Sequence, residues 1–454
     1  MSVEPVRSAG AGGRNPAGCP IVRRGKTWLA VAAREGENRL PIPPSPRATD
    51  APHVKPILLA YGAAEPLVLE PRPGAGVVEV RGPDGVRGAE ARSAVGSALD
   101  TPSRLPPLEA HVVPGDRVAI ALSGPVPCAG DVVAAVRERL ERAGVEATDT
   151  MLLRAPPVAG LEGWKHTAPV AGEILFDPKR ETESSYVAAD ADGEALHVAR
   201  RLVDADAVVA IGAFAFDAAL GGPALGGDLW PAFTRARARE DVVRALSRRG
   251  RKALDGLRRR AMEAAWQLGV MASVRVVPGR GDTLHAVVFD TPAGAARAAR
   301  RGARGWRPSL PRGADVVVAA PADPHGGIPT FLRAVAAAAA VSRPGGTICL
   351  AGRLAEAPGE VTRRSRQGVA LPGLVGEALR SGDAALLADA FVARFLARAL
   401  GDRRLVLLSD LPGEEVEELG FGHAATPEAI ERLAHRAAEL VVIGDADRVF
   451  PRHA

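Results

Sequence analysis

Short apolar runs alternate with amphipathic stretches from residue 114 onward, and this alternation constrains the fold more than any other feature of the sequence. Residues 118–122 are apolar without interruption, as expected of a strand that is buried on both faces of a sheet. Residues 131–145 follow, and their apolar side chains fall on one stripe of a helix. Strands joined by helices in this way predict right-handed crossovers and mainly parallel sheets, so the predicted fold class is α/β.

The alternation occurs in two series, one on each side of an arginine-rich run at 235–260. The first series predicts strands at 118–122, 150–153 and 207–211, with a helix at 194–203. The second predicts strands at 273–277, 284–289, 316–320, 347–350, 404–408 and 440–443. Its helices are predicted at 292–304, 330–341, 384–400 and 427–438. We therefore expect two lobes with mainly parallel, doubly wound sheets and a ligand cleft between the lobes.

The length of the chain also favours two domains, because 454 residues exceed the usual size of a single core. Residues 1–54 are rich in proline, glycine and arginine and lack sustained periodicity, so they are predicted to form a mostly disordered extension. We assign residues 55–260 to an N-terminal α/β domain and residues 261–454 to a C-terminal α/β domain.

Composition excludes several classes of protein. The net charge of +5 is too small for a nucleic-acid groove, and the aromatic residues that single-strand binders use for stacking make up only 4%. Three widely spaced cysteines without a CxxC pair favour neither a disulfide framework nor a cysteine zinc site, and they fit a reducing compartment. No stretch approaches the ~20 apolar residues of a membrane span. We expect a cytoplasmic protein without nucleic-acid or membrane partners.

Two loops that follow predicted strands are candidates for ligand contact. Ser123 and Gly124 follow the first strand, where α/β proteins bind phosphate, although a plain turn between strand and helix explains the same residues. Gly221 and Gly222 open a glycine-rich loop after the strand at 207–211, where the backbone can approach a ligand closely or simply connect two elements. The loop after the first strand matches neither GxGxxG nor a Walker sequence.

His325 is the best-placed histidine of the sequence. It follows the strand predicted at 316–320, and an imidazole at the edge of a cleft can act as a general base or a metal ligand. A lone histidine in a loop of proline and glycine is more often a surface residue. The other histidines show no HxH, HxxxH or HExxH spacing, so the sequence contains no self-sufficient metal site.

Two stretches, ILLAYGAAEPLVLEPRP and PGDRVAIALSGPVPCAGDVVAAVRERLERAGV, resemble the N-terminal domain of the nickel-pincer lactate racemase family. The resemblance continues through EILFDPKRE, DGEALHVARRLVDADAVVAIGAF and ADVVVAAPADPHGGIPTFLRAVAAAAAVSRPGGTICLAGR, and it covers residues 57–445. It implies two α/β lobes that hold a nickel-bearing pyridinium mononucleotide between them. It also implies that the stereoisomers of a 2-hydroxy acid interconvert by hydride transfer to this cofactor, while paired histidines exchange the hydroxyl proton.

Several site residues of the family are replaced in this chain. The Asp-x-Thr-Arg-Pro loop of the family falls on the loop that contains Ser123 and Gly124. Its Thr-His-Arg segment falls on Arg154 and Ala155, and the histidine of its Asn-His-Asp segment falls on Phe176. The histidines that would exchange protons are therefore absent from the matching positions.

The metal and cofactor contacts change as well. The nickel-ligating histidine of the family falls on Asp217, whose hard oxygen is a poor match for a soft pincer metal. The Pro-Lys loop of the family falls on Pro324 and His325, so a titratable side chain persists there. The resemblance makes Asp217 the candidate metal ligand, and His325 and Arg154 the candidate catalytic residues. The candidate cofactor contacts are Ser123, Gly124, Gly221 and Gly222.

The sequence leaves three functions open. We favour a diverged member of the family that lacks nickel-dependent racemase chemistry, does not bind the nickel-pincer nucleotide, and binds at most a small 2-hydroxy acid or other anion between the lobes. The second function is an active 2-hydroxy-acid racemase or epimerase that uses His325, Asp217 and Arg154. The third is a non-enzymatic interaction protein that makes its contact through residues 1–54. The metal and small-molecule content of the purified protein would distinguish the first two.

Overall fold

The structure, a computed structural model, describes residues 55–156, 169–189, 193–218, 220–224, 229–270, 272–310 and 313–453. The extension predicted at 1–54 lies outside the described residues. No helix in the described part of the chain is long and apolar enough to cross a membrane.

The strands and helices of the described residues are numbered separately in chain order. The strands are β1 (Ile57–Leu59), β2 (Leu67–Leu69), β3 (Gly76–Val80), β4 (Val118–Leu122), β5 (Thr150–Arg154), β6 (Glu173–Leu175), β7 (Ser184–Ala189), β8 (Ala195–Ala199), β9 (Ala207–Ala213), β10 (Phe216–Asp217), β11 (Gly222–Pro223), β12 (Ser273–Pro278), β13 (Leu284–Asp290), β14 (Ser309–Leu310), β15 (Ala314–Ala319), β16 (Ser342–Ala351), β17 (Arg404–Leu408), β18 (Gly422–His423), β19 (Glu439–Ile443) and β20 (Arg452–His453). The α-helices are α1 (Gly88–Asp100), α2 (Ala129–Arg142), α3 (Arg200–Val203), α4 (Ala236–Arg249), α5 (Leu254–Gln267), α6 (Pro292–Gly302), α7 (Gly327–Val341), α8 (Glu360–Arg366), α9 (Leu371–Ser381), α10 (Ala384–Leu400), α11 (Gly413–Glu418) and α12 (Pro427–Arg436). Short 3₁₀ helices span Leu108–His111, Ala147–Asp149, Glu181–Glu183, Gly250–Ala253 and Ala303–Trp306.

The first large sheet has the spatial order β13-β12-β9-β4-β5-β6. Its strands are parallel except for β13, which runs antiparallel to β12. Strand β4 lies inside the sheet because all its residues are apolar and buried. Helices α1 and α2 share an apolar cluster with one face of this sheet, and α2 contributes Val132, Val136 and Leu140 to that cluster.

The second large sheet has the order β18-β17-β16-β15-β19-β3, and all its strands are parallel. Val316 and Val318 of β15 share an apolar cluster with the β1–β2 hairpin and α12. Val317 and Ala319 point to the opposite face and share a cluster with α7. The alternation along β15 thus buries both faces of the sheet, as its continuous apolar run predicts.

The two sheets share part of their core. Ala119 and Ala121 of β4 belong to the same continuous apolar cluster as Val317 and Ala319 of β15. The opposite face of each sheet carries a separate cluster. This architecture confirms the predicted α/β class with two lobes and mainly parallel sheets, and the predicted strands at 118–122, 207–211, 316–320 and 347–350 all fall within observed strands or end one residue beyond them.

The chain passes between the sheets more often than the sequence suggests. Strand β3 precedes the first sheet in the chain but pairs with β19 of the second. Strands β12 and β13 lie beyond residue 260, in the stretch assigned to the C-terminal domain, but they pair with β9 of the first sheet. The domain limits at 54 and 260 stay predictions. The boundaries between the two sheets fall at other points of the chain, since β3 belongs to the second sheet and β12 and β13 belong to the first.

One predicted helix is corrected by the structure. Residues 195–199 form β8, which pairs antiparallel with β7, and only Arg200–Val203 are helical. Leu196 and Val198 are buried while His197 between them is half-buried, so the buried positions follow the two-residue period of a strand. Over so short a stretch, the apolar residues at 196, 198 and 202 fit the period of a helix as well as that of a strand. The pairing with β7 makes this stretch a strand.

Candidate functional site

The candidates of the first lobe meet at one edge of its sheet. Strands β4, β5 and β9 are parallel neighbours, so their carboxyl ends lie at the same edge. Ser123 and Gly124 follow β4, and Arg154 is the last residue of β5. Asp217 lies four residues beyond the end of β9, in the short strand β10. This edge is where an α/β fold places a ligand site.

The backbone and the side chain of Ser123 both donate hydrogen bonds to the neighbouring strand β9. Its backbone N–H donates to the carbonyl of Ile211 at 3.0 Å, and its side-chain Oγ donates to the same carbonyl at 3.1 Å. The side chain is buried. Helix α2 begins at Ala129, five residues beyond Gly124, and its N-cap Cys128 donates its N–H to the Asp282 carboxylate at 3.1 Å. The hydroxyl of Ser123 is therefore committed to β9.

Arg154 is neutralised inside the sheet. Its guanidinium Nε lies 2.9 Å from the carboxylate of Glu173 on β6, and both side chains are largely buried. The same carboxylate oxygen of Glu173 accepts the N–H of Val170 at 3.0 Å. An arginine stays protonated at physiological pH, so it can bind an anion or orient a group but cannot shuttle protons. The charge of Arg154 is balanced by a partner that the sequence analysis did not identify.

The neighbouring positions carry apolar side chains. Ala155 is fully buried after β5, and its N–H donates to the carbonyl of Leu122 at 3.1 Å. Phe176 follows β6, is 2% exposed, and packs against Phe233 with 6.1 Å between ring centroids. Neither side chain has an atom that exchanges protons. The two positions matched to the histidines of the racemase family therefore belong to the core.

Asp217, Gly221 and Gly222 come together in a tight hairpin. Strands β10 and β11 pair so that Asp217 lies opposite Gly222. The Asp217 carboxylate accepts the N–H of Leu220 at 2.8 Å, and its carbonyl accepts the N–H of Gly221 at 2.8 Å. Gly221 has φ +74°, in the left-handed region that favours glycine. The buried carboxylate thus stabilises the turn, and Arg258 donates to the carbonyl of Pro223 on the same hairpin at 2.7 Å.

The described residues do not fit the nickel-pincer group. They contain no set of three or more His, Cys, Asp or Glu side chains arranged to hold a metal ion. Asp217 offers a hard oxygen that already accepts a hydrogen bond, whereas a soft pincer metal favours imidazole and sulfur. Burial raises the pKa of the Cys349 thiol to about 12, and burial followed by the charge of Asp282 raises the pKa of the Cys128 thiol. Neither cysteine is poised to supply a thiolate.

His325 lies on the other sheet, apart from these residues. It is exposed in the loop between β15 and α7, and its backbone N–H donates to the Asp323 carboxylate at 3.1 Å. A small cavity of about 20 Å³ that opens to solvent lies beside this loop, at the carboxyl ends of β15, β16 and β17. Its polar and loop lining consists of Pro321, Asp323, Pro324, Gly326, Gly327, Thr330, Gly352 and Ser409, and its apolar lining consists of Phe331, Leu350, Leu354, Leu407 and Leu408.

Comparison with solved structures shows which fold this is. The lactate racemase apoprotein from Thermoanaerobacterium thermosaccharolyticum superposes with a TM-score of 0.64 at 18% identity, over 87% of this chain and all of that one. The chain has the lactate racemase fold. A Thermotoga maritima protein determined by a structural genomics consortium matches with a TM-score of 0.57 at 12% identity, over 80% of this chain and 98% of that one. No family model and no curated protein sequence matches the chain.

Sequence reasoning missed Ser409, which lines the second-lobe pocket together with Asp323 and Thr330. The side-chain Oγ of Ser409 is buried and has no hydrogen-bond partner. Ser409 follows β17 directly, and that strand is predicted correctly at 404–408. The first residue after a buried parallel strand is a frequent ligand contact, so the predicted strand end was the available signal. Helix α7 also begins three residues earlier than predicted, which brings its amino end to the same pocket.

Proposed function

We propose that this protein has kept the lactate racemase fold, lacks nickel-dependent racemase chemistry, and binds a small organic anion at the pocket beside His325. The observation that carries this proposal is the closed carboxyl edge of the first sheet. There Ala155 and Phe176 occupy core positions, and the Asp217 carboxylate is engaged with the turn at Leu220. This edge of the first sheet offers neither a positioned acid–base pair nor a nickel ligand set among the described residues.

Two features of the second-lobe pocket favour an anion, against the opposing charge of Asp323 in its lining. The amino end of α7 points positive dipole and backbone N–H groups toward the loop at Gly326 and Gly327. The buried Ser409 hydroxyl lies in the residues that line the pocket and has no hydrogen-bond partner among the described residues. His325 is exposed next to the pocket, where its imidazole can donate a hydrogen bond to an anion. A carboxylate with a neighbouring hydroxyl matches a donor set of this kind.

Calorimetric titration with L-lactate tests the proposal. We expect binding that weakens about tenfold in Ser409→Ala, since one charge-assisted hydrogen bond is lost. His325→Ala should also weaken binding, since the exposed imidazole beside the pocket is lost as a hydrogen-bond donor. His423→Ala, at another exposed histidine of the second sheet, is the matched control and should bind as the unmodified protein does. Absence of binding, or equal binding by all variants, would refute the pocket as the site.

A further inference from the structure

An arginine-rich segment of the second lobe lacks acidic partners. The sequence from Thr291 to Ala314 contains six arginines and neither aspartate nor glutamate. Positions three and four apart lie on one side of a helix, so the arginines of α6 and the 3₁₀ helix after it form a single ridge. The arginine ridge consists of Arg297, Arg300, Arg301, Arg304 and Arg307. None of these five side chains forms an ion pair with a described residue, and the opposite face is buried through Ala295, Ala299, Ala303 and Trp306.

Among the arginines of the ridge, Arg307 is the one that packs against aromatic rings. The central carbon of its guanidinium lies 5.1 Å from the ring centroid of Phe216 and 5.2 Å from that of Phe450. The two rings stack on each other with 5.6 Å between centroids and an angle of 14°. This contact holds the planar guanidinium against a flat aromatic surface. Its Nε atom is buried and has no hydrogen-bond partner in the described part of the chain.

A second strand places another arginine beside Arg307. Strand β20 pairs in parallel with β14, so that Arg452 lies opposite Ser309. The N–H of Arg452 donates to the carbonyl of Pro308 at 2.8 Å, and the N–H of Phe450 donates to the carbonyl of Trp306 at 2.8 Å. These bonds fix the two chain segments on either side of Arg307.

The charges of Arg300 and Arg452 act on Arg307. Burial lowers the pKa of the Arg307 guanidinium, and the positive charges of Arg452 and Arg300 lower it further. Arg300 and Arg452 are exposed and, like Arg307, form no ion pair with a described residue. Three like charges close together repel one another, so a bound anion would be favoured over the empty cluster. No carboxylate of the described residues supplies that anion.

We propose that Arg300, Arg307 and Arg452 bind a phosphate group. A phosphate monoester carries nearly two negative charges and three acceptor oxygens, which three guanidinium groups match better than a carboxylate does. Arginine presents paired N–H donors that fit phosphate oxygens, and Arg307 forms no ion pair with a described residue. The site is distinct from the His325 pocket and does not depend on it. It lies beside the β10–β11 hairpin, because Phe216 precedes Asp217.

Calorimetric titration with inorganic pyrophosphate at low ionic strength tests this site. We expect one molecule to bind per chain, and Arg307→Gln and Arg452→Gln each to weaken binding about tenfold or more, as expected for loss of a charge-assisted bond. The matched control is Arg398→Gln, which removes an exposed arginine of α10 that has no ion pair with a described residue. Arg307→Lys keeps the charge but loses the paired donors, so it should bind more weakly than the unmodified protein and more tightly than Arg307→Gln.

Three outcomes would overturn the proposal. The first is the absence of pyrophosphate binding by the unmodified protein, and the second is equal weakening by Arg398→Gln, which would show a general effect of net charge. The third is tighter binding of a short single-stranded RNA that depends equally on Arg297, Arg301 and Arg304, which would make the ridge a nucleic-acid surface. If Arg307→Gln does not fold, Arg300→Gln and Arg452→Gln at exposed positions still decide the question. His325→Ala should leave pyrophosphate binding unchanged, so this test is independent of the proposed lactate site.

Discussion

The carboxyl edges of the two sheets are both formed by neighbouring parallel strands, but their polar side chains differ in whether they have partners among the described residues. At the first edge the Ser123 hydroxyl, the Arg154 guanidinium and the Asp217 carboxylate each have a partner inside the protein. At the second edge the Ser409 hydroxyl has no partner, His325 is exposed, and a pocket lies between the strand ends. The comparison teaches that parallel strands supply the location of a site, while the partners of the polar groups decide whether it remains available to a ligand.

The largest expected effect is at the closed edge. Glu173→Ala removes the acidic partner of the largely buried Arg154, and an uncompensated buried charge typically costs about 3–5 kcal/mol of unfolding free energy. Urea denaturation measures this loss. Arg180→Ala, which breaks the exposed pairs of Arg180 with Asp177 and Glu183, should cost about 0.5 kcal/mol or less. If the two variants lose similar amounts of unfolding free energy, the pair of Arg154 and Glu173 does not stabilise the first edge more than an exposed ion pair does.

A smaller effect is expected at the β10–β11 hairpin. Asp217→Ala leaves the N–H of Leu220 without its acceptor, which should lower the unfolding free energy by about 1–3 kcal/mol. Asp217→Asn keeps a side-chain oxygen in that position and should be milder. Both are measured by urea denaturation. If Asp217→Ala loses bound nickel without losing stability, Asp217 is a metal ligand and the first edge is a metal site.

A pH-dependent effect is expected where the two lobes meet. Asp445 follows β19, its carboxylate accepts the N–H of Gly281 at 3.0 Å, and burial raises its pKa against the opposing effect of Arg448. Because the folded protein holds this proton more tightly than the unfolded chain, the contribution of Asp445 to stability falls as pH rises above the ordinary carboxyl pKa. Asp445→Asn should keep the acceptor and gain about 1 kcal/mol or less at pH 7.

Denaturation at pH 4 and pH 7 checks this prediction. The difference in unfolding free energy between Asp445→Asn and the unmodified protein should be larger at pH 7 than at pH 4. Both proteins keep Asp447, because its charge also raises the pKa of Asp445. Asparagine also tolerates the left-handed backbone of Asp445, which has φ 49°. A variant that is less stable at pH 7 than at pH 4, relative to the unmodified protein, would reverse the sign we assign.

The smallest stability effect is expected at the open edge. Ser409→Ala removes a buried hydroxyl that has no partner among the described residues, so the unfolding free energy should stay the same or rise slightly. A loss above about 1 kcal/mol would show a hidden structural bond, since that is the usual contribution of a hydrogen bond. Comparing the change in unfolding free energy of Ser409→Ala with that of Asp217→Ala then shows at which edge the polar group contributes more to stability.

The sequence predicts the strands well where apolar runs are continuous. Val118–Leu122 and Arg404–Leu408 are predicted at their observed bounds. The helix predicted at 194–203 fails because a stretch this short satisfies both periods, and the pairing partner β7 decides for β8. The sequence also does not reveal which strands pair when they are far apart along the chain. Such pairings place β3 in the second sheet and β12 in the first.

The candidate site was predicted only in part. The strand order along the chain places Ser123 and Arg154 at one edge, because both follow or end buried parallel strands. What the sequence does not give is the partner of each group. Glu173, which neutralises Arg154, lies on another strand, and the Ile211 carbonyl that engages Ser123 is a backbone atom. Burial of Phe176 likewise depends on Phe233, which the sequence does not place next to it.

The central claim is that the closed first edge does not support racemase chemistry, and direct measurement of racemisation tests it. The purified protein is supplied with the preformed nickel-pincer nucleotide, and conversion of one lactate enantiomer into the other is followed. Loss of one positioned acid–base group typically costs about 10²–10⁴-fold in rate. The sequence resemblance matches two such groups to Ala155 and Phe176, which are buried and have no side-chain proton to exchange. We predict no retained cofactor and no racemisation above the rate without protein. Robust racemisation that is abolished by His325→Ala would contradict the account.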